Sequence, residues 1–471
     1  MNAKGLRTLV IGLALTAGSA IAQIENGSDT YKRLKAYIDS IPAIDTHDHL
    51  WPFEILPGRV ETKAGNGLNL SSIWRNSYLS WINPAPAFNQ KTGIDGWWRR
   101  VENERTFENV RATSFYRYTL IALQDLYGVD FESLDIAGVR DLNRRIFDNY
   151  RDPRWLYEVV TEKANIELMF NDPYWARYKF ETAYPWEVMV FNQNPLITGF
   201  HPTLFNKPHD SPFKFAAERK LPMKNLDDYL KVVDLMFQTA KQAGAVCLKT
   251  TLAYQRTIRF ENVSRERAAK AFGRPPGKVT KAEKKDFEDY MMWRICEFSA
   301  QYELPFQIHT GHARIQGSNP MNLVDLIEAN PKTKFILFHG GFPWVGEMGM
   351  IVMHAMRKGK NVWADSVWLP QISYHTAKRA FNEWLDVMPS DRIMWGGDCN
   401  HGEGIYGSTE MTRRCVAEVL AERVERGELK EHYARRIGRQ IMRDNALSLF
   451  PDLKKRLWKG RGKRMLPAAA R

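Results

Sequence analysis

The strongest constraint on the fold of this chain is a series of eight short apolar runs, each of which ends in a polar residue or a glycine. Short apolar runs without polar alternation are typical of strands buried on both faces, as in parallel sheets. Most of them are followed by a helical pattern, so the sequence predicts an α/β fold, a (β/α)8 TIM-like barrel. The predicted strands are 41–46, 166–170, 188–191, 245–249, 305–308, 334–338, 361–364 and 392–395.

Two insertions interrupt the predicted alternation of strands and helices. The long one, about 55–160, follows the first strand, is helical and is rich in Trp and Arg. It is either a lid over the face of the barrel that carries chemistry or structural filler. The smaller one, about 255–282, is basic and indicates a surface excursion. Helices are predicted at 31–40, 224–243, 283–302, 320–329, 376–387 and 408–424.

The two ends of the chain account for ten of the thirteen net positive charges. Residues 1–22 hold two basic residues, an apolar run and the small-residue ending Ala20-Ile21-Ala22, which predicts a signal peptide cleaved before Gln23 and an exported, periplasmic or secreted protein. The apolar run is too short for a stable membrane anchor. The barrel is expected over 23–453, and 454–471 is a basic tail with eight positive charges.

The net charge of +13 therefore says little about partners. Without the two charges of the leader and the eight of the tail, the body of the chain carries only +3. This balance removes the basis for a nucleic-acid partner and leaves a small-molecule substrate as the expected partner. The oligomeric state stays open.

The four cysteines are expected to be buried thiols. They lie in apolar strand-like or helical contexts, and the sequence contains no Cys-x-x-Cys pair for a zinc knuckle or a redox site. An exported protein can form disulfides, so their pairing stays open.

His47 and His49 form the clearest chemical motif. Residues two apart on a strand point to the same side, so the two imidazoles converge on one point at the end of the first strand. Alone the motif is weak, because a histidine also simply ends a strand.

Polar residues at the ends of later strands strengthen this interpretation. His309, His339 and Asp398 each follow an apolar run. The C-terminal ends of barrel strands surround one cavity, so these side chains are expected to lie beside the histidine pair. Imidazole and carboxylate ligands suit Zn²⁺, with Mn²⁺ or Fe²⁺ as substitutes.

Lys249 also ends an apolar run, and three interpretations of it stay open. Its amine can be carboxylated and bridge two metal ions. It can remain an ammonium group that binds a substrate carboxylate. It can also extend from the barrel rim toward water without a role in chemistry.

These motifs together resemble the amidohydrolase superfamily, and in particular its amidohydrolase-related (amidohydrolase 2) branch, including the domain joined to glutamine-synthetase-like proteins. The resemblance covers about 30–450 apart from the insertions. Around Asn400 and in the Trp-rich insertion the chain departs from the family pattern, which leaves the substrate open. The segments that carry the resemblance are His47-x-His49, Leu248-Lys249 with Tyr254, Gln307-Ile308-His309-Thr310-Gly311, His339-Gly340-Gly341-Phe342-Pro343, Asp398 and Asp444-Asn445-Ala446.

The resemblance implies a barrel that holds one or two divalent metals and activates water. Asp398 would accept a proton from that water and deliver it to the leaving group. His339 would either hold a second metal or stabilise the oxyanion formed from the substrate carbonyl, and Lys249, if carboxylated, would bridge two metals. The implied metal ligands are His47, His49, Lys249, His309, His339 and Asp398.

A second group of residues follows the predicted strands closely enough to contact a substrate, although packing at the barrel rim is the alternative for each. The glycines of Gly402-x-Gly404-x-x-Gly407 resemble a dinucleotide fingerprint, but no parallel strand follows to complete that unit, so a flexible substrate loop is predicted instead. The candidate substrate-binding residues are Tyr254, Arg256, His312, Arg314, Trp368 and His401.

The sequence thus predicts a metal-dependent hydrolase that cleaves an amide, ester or lactone in a small substrate. The first alternative is a reaction like that of uronate isomerases, or a decarboxylation, on the same barrel and metal. The second is a binding or structural protein on a barrel that has lost catalysis, against which the complete ligand set argues.

Overall fold

The computed structural model describes residues 27–63 and 65–457. The predicted signal peptide and its cleavage position lie outside the described residues, as does the basic tail beyond residue 457. The strands are β1 Ala43–Asp48, β2 Val60–Thr62, β3 Gly65–Gly67, β4 Ile166–Asn171, β5 Glu187–Asn192, β6 Cys247–Thr250, β7 Phe306–Ile308, β8 Phe335–Leu337, β9 Val362–Asp365 and β10 Ile393–Met394.

Helices follow most barrel strands and fill the long insertion. They are α1 Asp29–Asp39, α2 Leu70–Asn76, α3 Gly93–Asn103, α4 Ser114–Tyr127, α5 Ile136–Asn149, α6 Arg154–Tyr157, α7 Asn194–Thr198, α8 Pro212–Glu218, α9 Leu226–Ala243, α10 Arg265–Ala269, α11 Lys281–Gln301, α12 Val324–Ala329, α13 Val345–Met356, α14 Leu369–Ile372, α15 Tyr374–Val387, α16 Gly402–Glu425, α17 Glu431–Arg439, α18 Asn445–Leu449 and α19 Leu453–Arg456.

Eight strands form one parallel sheet in the order β1-β4-β5-β6-β7-β8-β9-β10, and β2 and β3 form a separate hairpin in the insertion. All eight predicted strands are present, and their side chains are buried throughout, as expected for strands covered on both faces. The (β/α)8 architecture with a helical insertion after the first strand is therefore confirmed.

The sheet curls so that its last strand meets its first. Past the end of β10 the backbone continues along β1, which nearly closes the barrel. The joining hydrogen bonds run from Thr46 N–H to Trp395 O (3.2 Å), from Asp398 N–H to His47 O (2.8 Å) and from His49 N–H to Cys399 O (2.8 Å). The ligand candidates at both ends of the sheet are thereby brought side by side.

The first strand begins and ends two residues later than predicted, so His47 lies inside β1 instead of after it. The helix α13 was not predicted, because Gly346 and Gly349 weaken the helical pattern of its sequence. Gly349 is needed for packing, since a Cβ there would come within 3.2 Å of the Trp384 ring on α15.

The prediction of a flexible loop at 402–407 is wrong, because these residues form the first turns of α16. The glycines serve helix packing. A Cβ at Gly407 would lie 2.2 Å from the carbonyl oxygen of Tyr118, so only glycine lets α16 approach α4 of the insertion this closely.

The four cysteines, Cys247, Cys296, Cys399 and Cys415, are buried and free of disulfides, as predicted from their apolar contexts. The smaller insertion forms the short helix α10 and a 3-10 turn next to it. Within 27–63 and 65–457, no helix combines the length and the apolar character needed to cross a lipid bilayer.

Candidate metal centre

His47 and His49 lie together at the C-terminal end of the barrel. Their rings are 4.7 Å apart between centroids and nearly perpendicular. His47 is fully buried, whereas the side chain of His49 is 18% exposed and faces the cavity described below. The convergence predicted from the spacing of the two residues on a strand is therefore present.

The hydrogen bonds of His49 fix the protonation of its ring. Its Nδ1 lies 2.9 Å from the backbone carbonyl oxygen of Asp172, to which it can only donate. A neutral imidazole has a single N–H, so Nε2 then carries a lone pair. His49 Nε2 lies 3.1 Å from Oδ1 of the Asp398 carboxylate, and an ionised carboxylate oxygen is also only an acceptor.

His49 Nε2 and Asp398 Oδ1 are both acceptors and would repel each other at this distance. They can stay this close only if a proton or a metal cation lies between them. Burial lowers the pKa of His49, but the hydrogen bond and charge of Asp398 outweigh burial and raise that pKa overall. Burial acts to raise the pKa of Asp398, yet the hydrogen bond and charge of His49 hold it well below its usual range. An imidazolium proton or a cation satisfies this pair, and a divalent ion does so without leaving either group unpaired.

The histidines after β7 and β8, His309 and His339, also have ring protonation that is fixed by hydrogen bonds. His339 Nδ1 lies 3.1 Å from the Val367 carbonyl oxygen, and its Nε2 lies 2.7 Å from His309 Nδ1. His309 therefore donates to His339, and its own Nε2 is a buried lone pair with no partner among the described residues. Burial lowers the pKa of His309 well below its ordinary value and that of His339 to about 3, which keeps both rings in the neutral form that binds metals.

Lys249 joins the histidines from β6. Its Nζ lies 3.3 Å from His47 Nε2 and 3.7 Å from the centroid of the Phe338 ring. Burial lowers the pKa of Lys249 to about 8, although the charge of Asp398 opposes this shift. The alternative of a lysine extending into solvent is excluded, because the residue is 1% exposed.

Asp172 is a site residue that the sequence reasoning missed. One ligand atom from each of His47, His49 and Asp172 lies within 4.8 Å of the others, a spacing that one metal ion can span. The Asp172 carboxylate accepts from Asn192 Nδ2 at 3.0 and 3.1 Å. Asp172 follows the apolar β4 just as His309 follows β7, so the same strand-end pattern could have identified it.

Three buried carboxylates lie behind the site and were also missed. Asp45 accepts the backbone N–H groups of His47 and Gly397, at 3.0 and 3.1 Å, and the Thr46 hydroxyl donates to Asp365 at 2.6 Å. Asp48 accepts the backbone N–H of Cys399. Burial raises the pKa of Asp45 and of Asp365 to about 7 and that of Asp48 well above its ordinary value. Through these hydrogen bonds, the three carboxylates join β1 to β9 and to the segment that follows β10, where the barrel nearly closes.

The donor set fits a divalent metal. It offers imidazole nitrogens and carboxylate oxygens, and it leaves His309 Nε2 and His47 Nδ1 buried without hydrogen-bond partners among the described residues. The site lies at the end of the strands where barrel enzymes carry their chemistry.

A cavity of about 390 Å³ opens over this centre, and the insertion forms one of its walls. The insertion therefore lines the site, which agrees with the first of its two interpretations. Tyr78 of the insertion reaches the site, since its hydroxyl donates to the backbone carbonyl of Asp398. The lining residues are His49, Arg75, Asn76, Ser77, Tyr78, Ser80, Trp81, Tyr118, Tyr174, Lys249, Thr251, Tyr254, His309, Asp398, Cys399, Asn400 and His401.

Two of the six candidate substrate-binding residues line this cavity. The ring of Tyr254 lies 4.4 Å from that of His309. His401 is 2% exposed, its Nδ1 lies 2.8 Å from Asn400 Oδ1, and burial lowers its pKa to about 3.

The other four lie outside the lining. Arg256 is held by the carboxylates of Glu288 and Asp289, so its guanidinium is already paired. Arg314 is exposed and donates to the Gln255 carbonyl.

Trp368 and His312 lie behind the cavity wall. Trp368 is 1% exposed, and its ring centroid is 4.4 Å from that of Tyr78 and 4.5 Å from that of His312. Trp368 packs against Tyr78, which lines the cavity, and neither Trp368 nor His312 belongs to the lining.

Comparison with known proteins agrees with this geometry. A family model described as "Amidohydrolase" matches residues 242–451. Protein fluG of Emericella nidulans is 24% identical over 222 residues, which cover 44% of this chain; the match spans a quarter of the length of that relative.

Solved structures with the same fold share little sequence with this chain. A protein of Lactobacillus casei described as a metal-dependent hydrolase has a TM-score of 0.61 at 15% identity, over 90% of this chain and 98% of that one. A uronate isomerase of Thermotoga maritima has a TM-score of 0.67 at 15% identity, over 90% and 98%. A glucuronate isomerase of Caulobacter crescentus has a TM-score of 0.65 at 15% identity, over 94% and 97%.

At these identities the structural likeness establishes the fold alone. The family resemblance predicted from the sequence is confirmed by the amidohydrolase family model over residues 242–451, the part of the chain that carries Lys249, His309, His339 and Asp398.

Proposed function

We propose that this protein is a metal-dependent hydrolase that cleaves a C–N or C–O bond in a small substrate, an amide, an ester or a lactone. One observation carries the proposal. His49 Nε2 and Asp398 Oδ1 face each other at 3.1 Å while the only N–H of a neutral His49 is used on the Asp172 carbonyl, so the pair requires a proton or a cation, and a divalent ion would satisfy it together with the unpartnered His309 Nε2.

The proposed ligands are the residues gathered at the strand ends, with Zn²⁺ as the preferred ion and Mn²⁺ or Fe²⁺ as substitutes. When bound, a divalent ion supplies a Lewis acid that polarises the scissile carbonyl and acidifies water. The residues that would hold one or two ions are His47, His49, Asp172, Lys249, His309, His339 and Asp398.

Asp398 is the proposed proton carrier. Its low pKa keeps the carboxylate ionised at neutral pH, so it can accept a proton from the attacking water and pass it to the leaving group. Its backbone N–H donates to the His47 carbonyl at 2.8 Å and its own carbonyl accepts from Tyr78, so its position is fixed on two sides.

His339 would complete a second metal site. The other expected role, a hydrogen bond donated to the substrate oxygen, does not fit the structure, because the single N–H of neutral His339 is used on the Val367 carbonyl and its Nε2 accepts from His309. Lys249 either becomes a carboxylate that bridges two ions or remains an amine. A crystal structure of the metal-loaded protein separates these roles, because a bridging carboxylate on Lys249 requires two ions.

Metal analysis tests the centre itself. The purified protein is reconstituted with Zn²⁺, Mn²⁺ or Fe²⁺, dialysed and measured by inductively coupled plasma mass spectrometry, beside the double variant His47→Ala/His49→Ala and the exposed-site control His375→Ala. We expect about one or two equivalents in the wild type and control and a large loss in the double variant. Less than about a tenth of an equivalent in the wild type, or full affinity in the double variant, would instead favour a barrel without metal chemistry.

The reaction class is tested by a substrate screen. Lactones, N-acyl amino acids, dipeptides and uronates are incubated with the metal-loaded protein, and the products are identified by mass spectrometry. Hydrolysis of any of the first three groups supports the proposal. Turnover of uronates alone, or loss of CO2 without hydrolysis, would replace it with the isomerase or decarboxylase alternative.

We also propose that residues 1–22 direct export and are removed before Gln23. The test is N-terminal sequencing of protein recovered from the periplasm or the medium. A mature N-terminus at Gln23 supports export, and an intact Met1 on periplasmic protein would contradict it.

A further inference from the structure

We propose that Arg75 binds an anionic group of the substrate and that the cavity therefore takes carboxylate-bearing small molecules. The inference rests on the proposed function in that it concerns the same cavity. It does not depend on whether the bond is hydrolysed or isomerised, because it concerns a group away from the reacting atoms.

The first observation is the lack of a partner for Arg75. The residue lies in the last turn of α2, is exposed and lines the cavity, and its side chain forms no ion pair or hydrogen bond with any residue in 27–63 or 65–457. Arg140 and Arg100 of the same insertion are paired, with Asp95 at 2.5 Å and with Glu104 at 2.9 Å. Arg75 thus adds to the cavity lining a guanidinium that no described carboxylate neutralises.

The second observation is the charge of the cavity wall. Asp398 is its only acidic residue among those described, and His49 already engages that carboxylate. Arg75 and Lys249 are the basic residues of the same wall. A bound divalent ion adds further positive charge. An excess of positive charge in a concave site attracts an anion and disfavours a cationic substrate.

The third observation is that the segment carrying Arg75 is held in place. Asn76 donates to the Pro57 carbonyl at 2.8 Å, Ser77 donates to the Trp74 carbonyl at 2.8 Å, and Tyr78 reaches the Asp398 carbonyl. The backbone next to Arg75 is therefore fixed relative to the metal centre. A guanidinium on a fixed backbone matches a carboxylate through two parallel hydrogen bonds.

Aromatic rings complete the wall beside Arg75. Trp81 is 52% and Tyr254 44% exposed, and their ring centroids are 6.3 Å apart. Such rings provide a flat apolar surface for the uncharged part of a substrate. We therefore expect a ligand with a flat or apolar body and one carboxylate.

Benzoate and benzamide test the proposal, because they have nearly the same shape and differ in charge. Their affinities are measured by isothermal titration calorimetry on the full-length protein, both metal-loaded and chelator-treated, for the wild type, Arg75→Met, Arg75→Lys and the control Arg99→Met. Arg99 lies on α3 and is exposed, outside the cavity lining. Circular dichroism confirms that each variant is folded.

We expect Arg75→Met to lose about 10-fold or more of its benzoate affinity while benzamide affinity stays within about 2-fold, in both metal states. Arg75→Lys keeps part of the benzoate affinity and Arg99→Met keeps all of it. Equal losses for the two probes, an unchanged benzoate affinity in Arg75→Met, or no benzoate binding to the wild type would each overturn the proposal. Because binding is measured without turnover, its failure is distinguishable from failure of the hydrolase proposal.

Discussion

Backbone carbonyls determine which nitrogen of each key histidine is available. His49 donates from Nδ1 to the Asp172 carbonyl, and His339 donates from Nδ1 to the Val367 carbonyl. These carbonyls belong to segments that follow β4 and β9, so the barrel itself sets the tautomers. Partners of this kind orient metal-binding histidines and raise their basicity. The site is therefore prepared for a ligand by the fold as well as by the side chains.

Asp398→Asn tests the proton carrier at this scale. An amide has the shape of the carboxylate but cannot accept a proton, so we expect kcat to fall by about 100-fold or more even when the remaining proposed ligands are saturated with added metal. Both kcat and bound metal are measured on the metal-loaded variant with the substrate found in the screen. The exposed Asp391→Asn serves as the control, and a loss of less than about 10-fold in Asp398→Asn would contradict the proton-carrier role.

His401 predicts part of the pH dependence of stability. Burial lowers its pKa to about 3, below the value of about 6.5 for an unfolded histidine. The neutral ring thus contributes full stability above pH about 6.5, and this contribution falls as the pH drops toward 3, because only the unfolded state takes up the proton. The free energy of unfolding should decrease by up to about 1.4 kcal/mol per pH unit from this residue alone.

The comparison of His401→Asn with the wild type isolates this contribution. Urea unfolding between pH 4 and 8 should give a shallower pH slope for the variant, whatever its absolute stability. The exposed His375→Asn should keep the wild-type slope. Parallel slopes for His401→Asn and the wild type would show that the histidine is protonated in both states.

At the scale of elements, one buried carboxylate joins the barrel to two points of the insertion. Glu403 lies in the first turn of α16, where the helix dipole favours a negative charge. It accepts the hydroxyls of Tyr127, at the end of α4, and of Tyr150, just past α5, each at 2.6 Å. The insertion that forms one wall of the cavity is therefore held by the helix that follows Asp398.

Tyr150→Phe tests this attachment. The variant keeps the ring but removes a hydrogen bond to a buried carboxylate and the acceptor of the Gly402 N–H at 3.1 Å. We expect the free energy of unfolding to fall by about 2 kcal/mol, measured by urea unfolding. The exposed Tyr433→Phe should change it by less than about 0.5 kcal/mol, and an equally small effect of Tyr150→Phe would contradict the role of Glu403.

The strand ends were predictable because an apolar run that stops at a polar residue is a local pattern. The wall contributed by the insertion was not predictable, because no periodicity relates Tyr78 to Asp398, 320 residues later in the chain. Asp45 lies inside the predicted strand 41–46, where the pattern expects an apolar residue, whereas Asp365 ends β9 directly after the predicted strand 361–364, so the strand-end pattern could have identified it. Their carboxylates are tolerated because backbone N–H groups and the Thr46 hydroxyl satisfy them.

At the scale of the whole molecule, Arg413 connects the beginning and the end of the barrel. It lies on α16 and is 3% exposed. Its guanidinium donates to carbonyls in two distant segments, residues 38–41 at the end of α1 and before β1 and the residue two before β4, and so ties both to α16. The acceptors are Ile38 (2.8 Å), Asp39 (2.6 Å), Ile41 (3.0 Å) and Ala164 (3.2 Å).

Arg413→Met should destabilise the whole barrel. Methionine fills a similar volume but leaves the buried carbonyls without this donor, so we expect a loss of at least about 3 kcal/mol in the free energy of unfolding. Arg426→Met, exposed at the end of the same helix, should have almost no effect. A loss below about 1 kcal/mol in Arg413→Met would show that water replaces the guanidinium.

The cavity wall has a consequence for how specificity can change. The proposed metal ligands are dispersed over the whole length of the barrel, whereas residues 75–81 place several lining side chains on one short continuous stretch of chain. Replacing that stretch, in a loop exchange or by recombination, changes the cavity lining and keeps every proposed ligand in the chain, provided that Tyr78 is retained to hold the Asp398 carbonyl. Much of this cavity wall can therefore be exchanged separately from the proposed metal site.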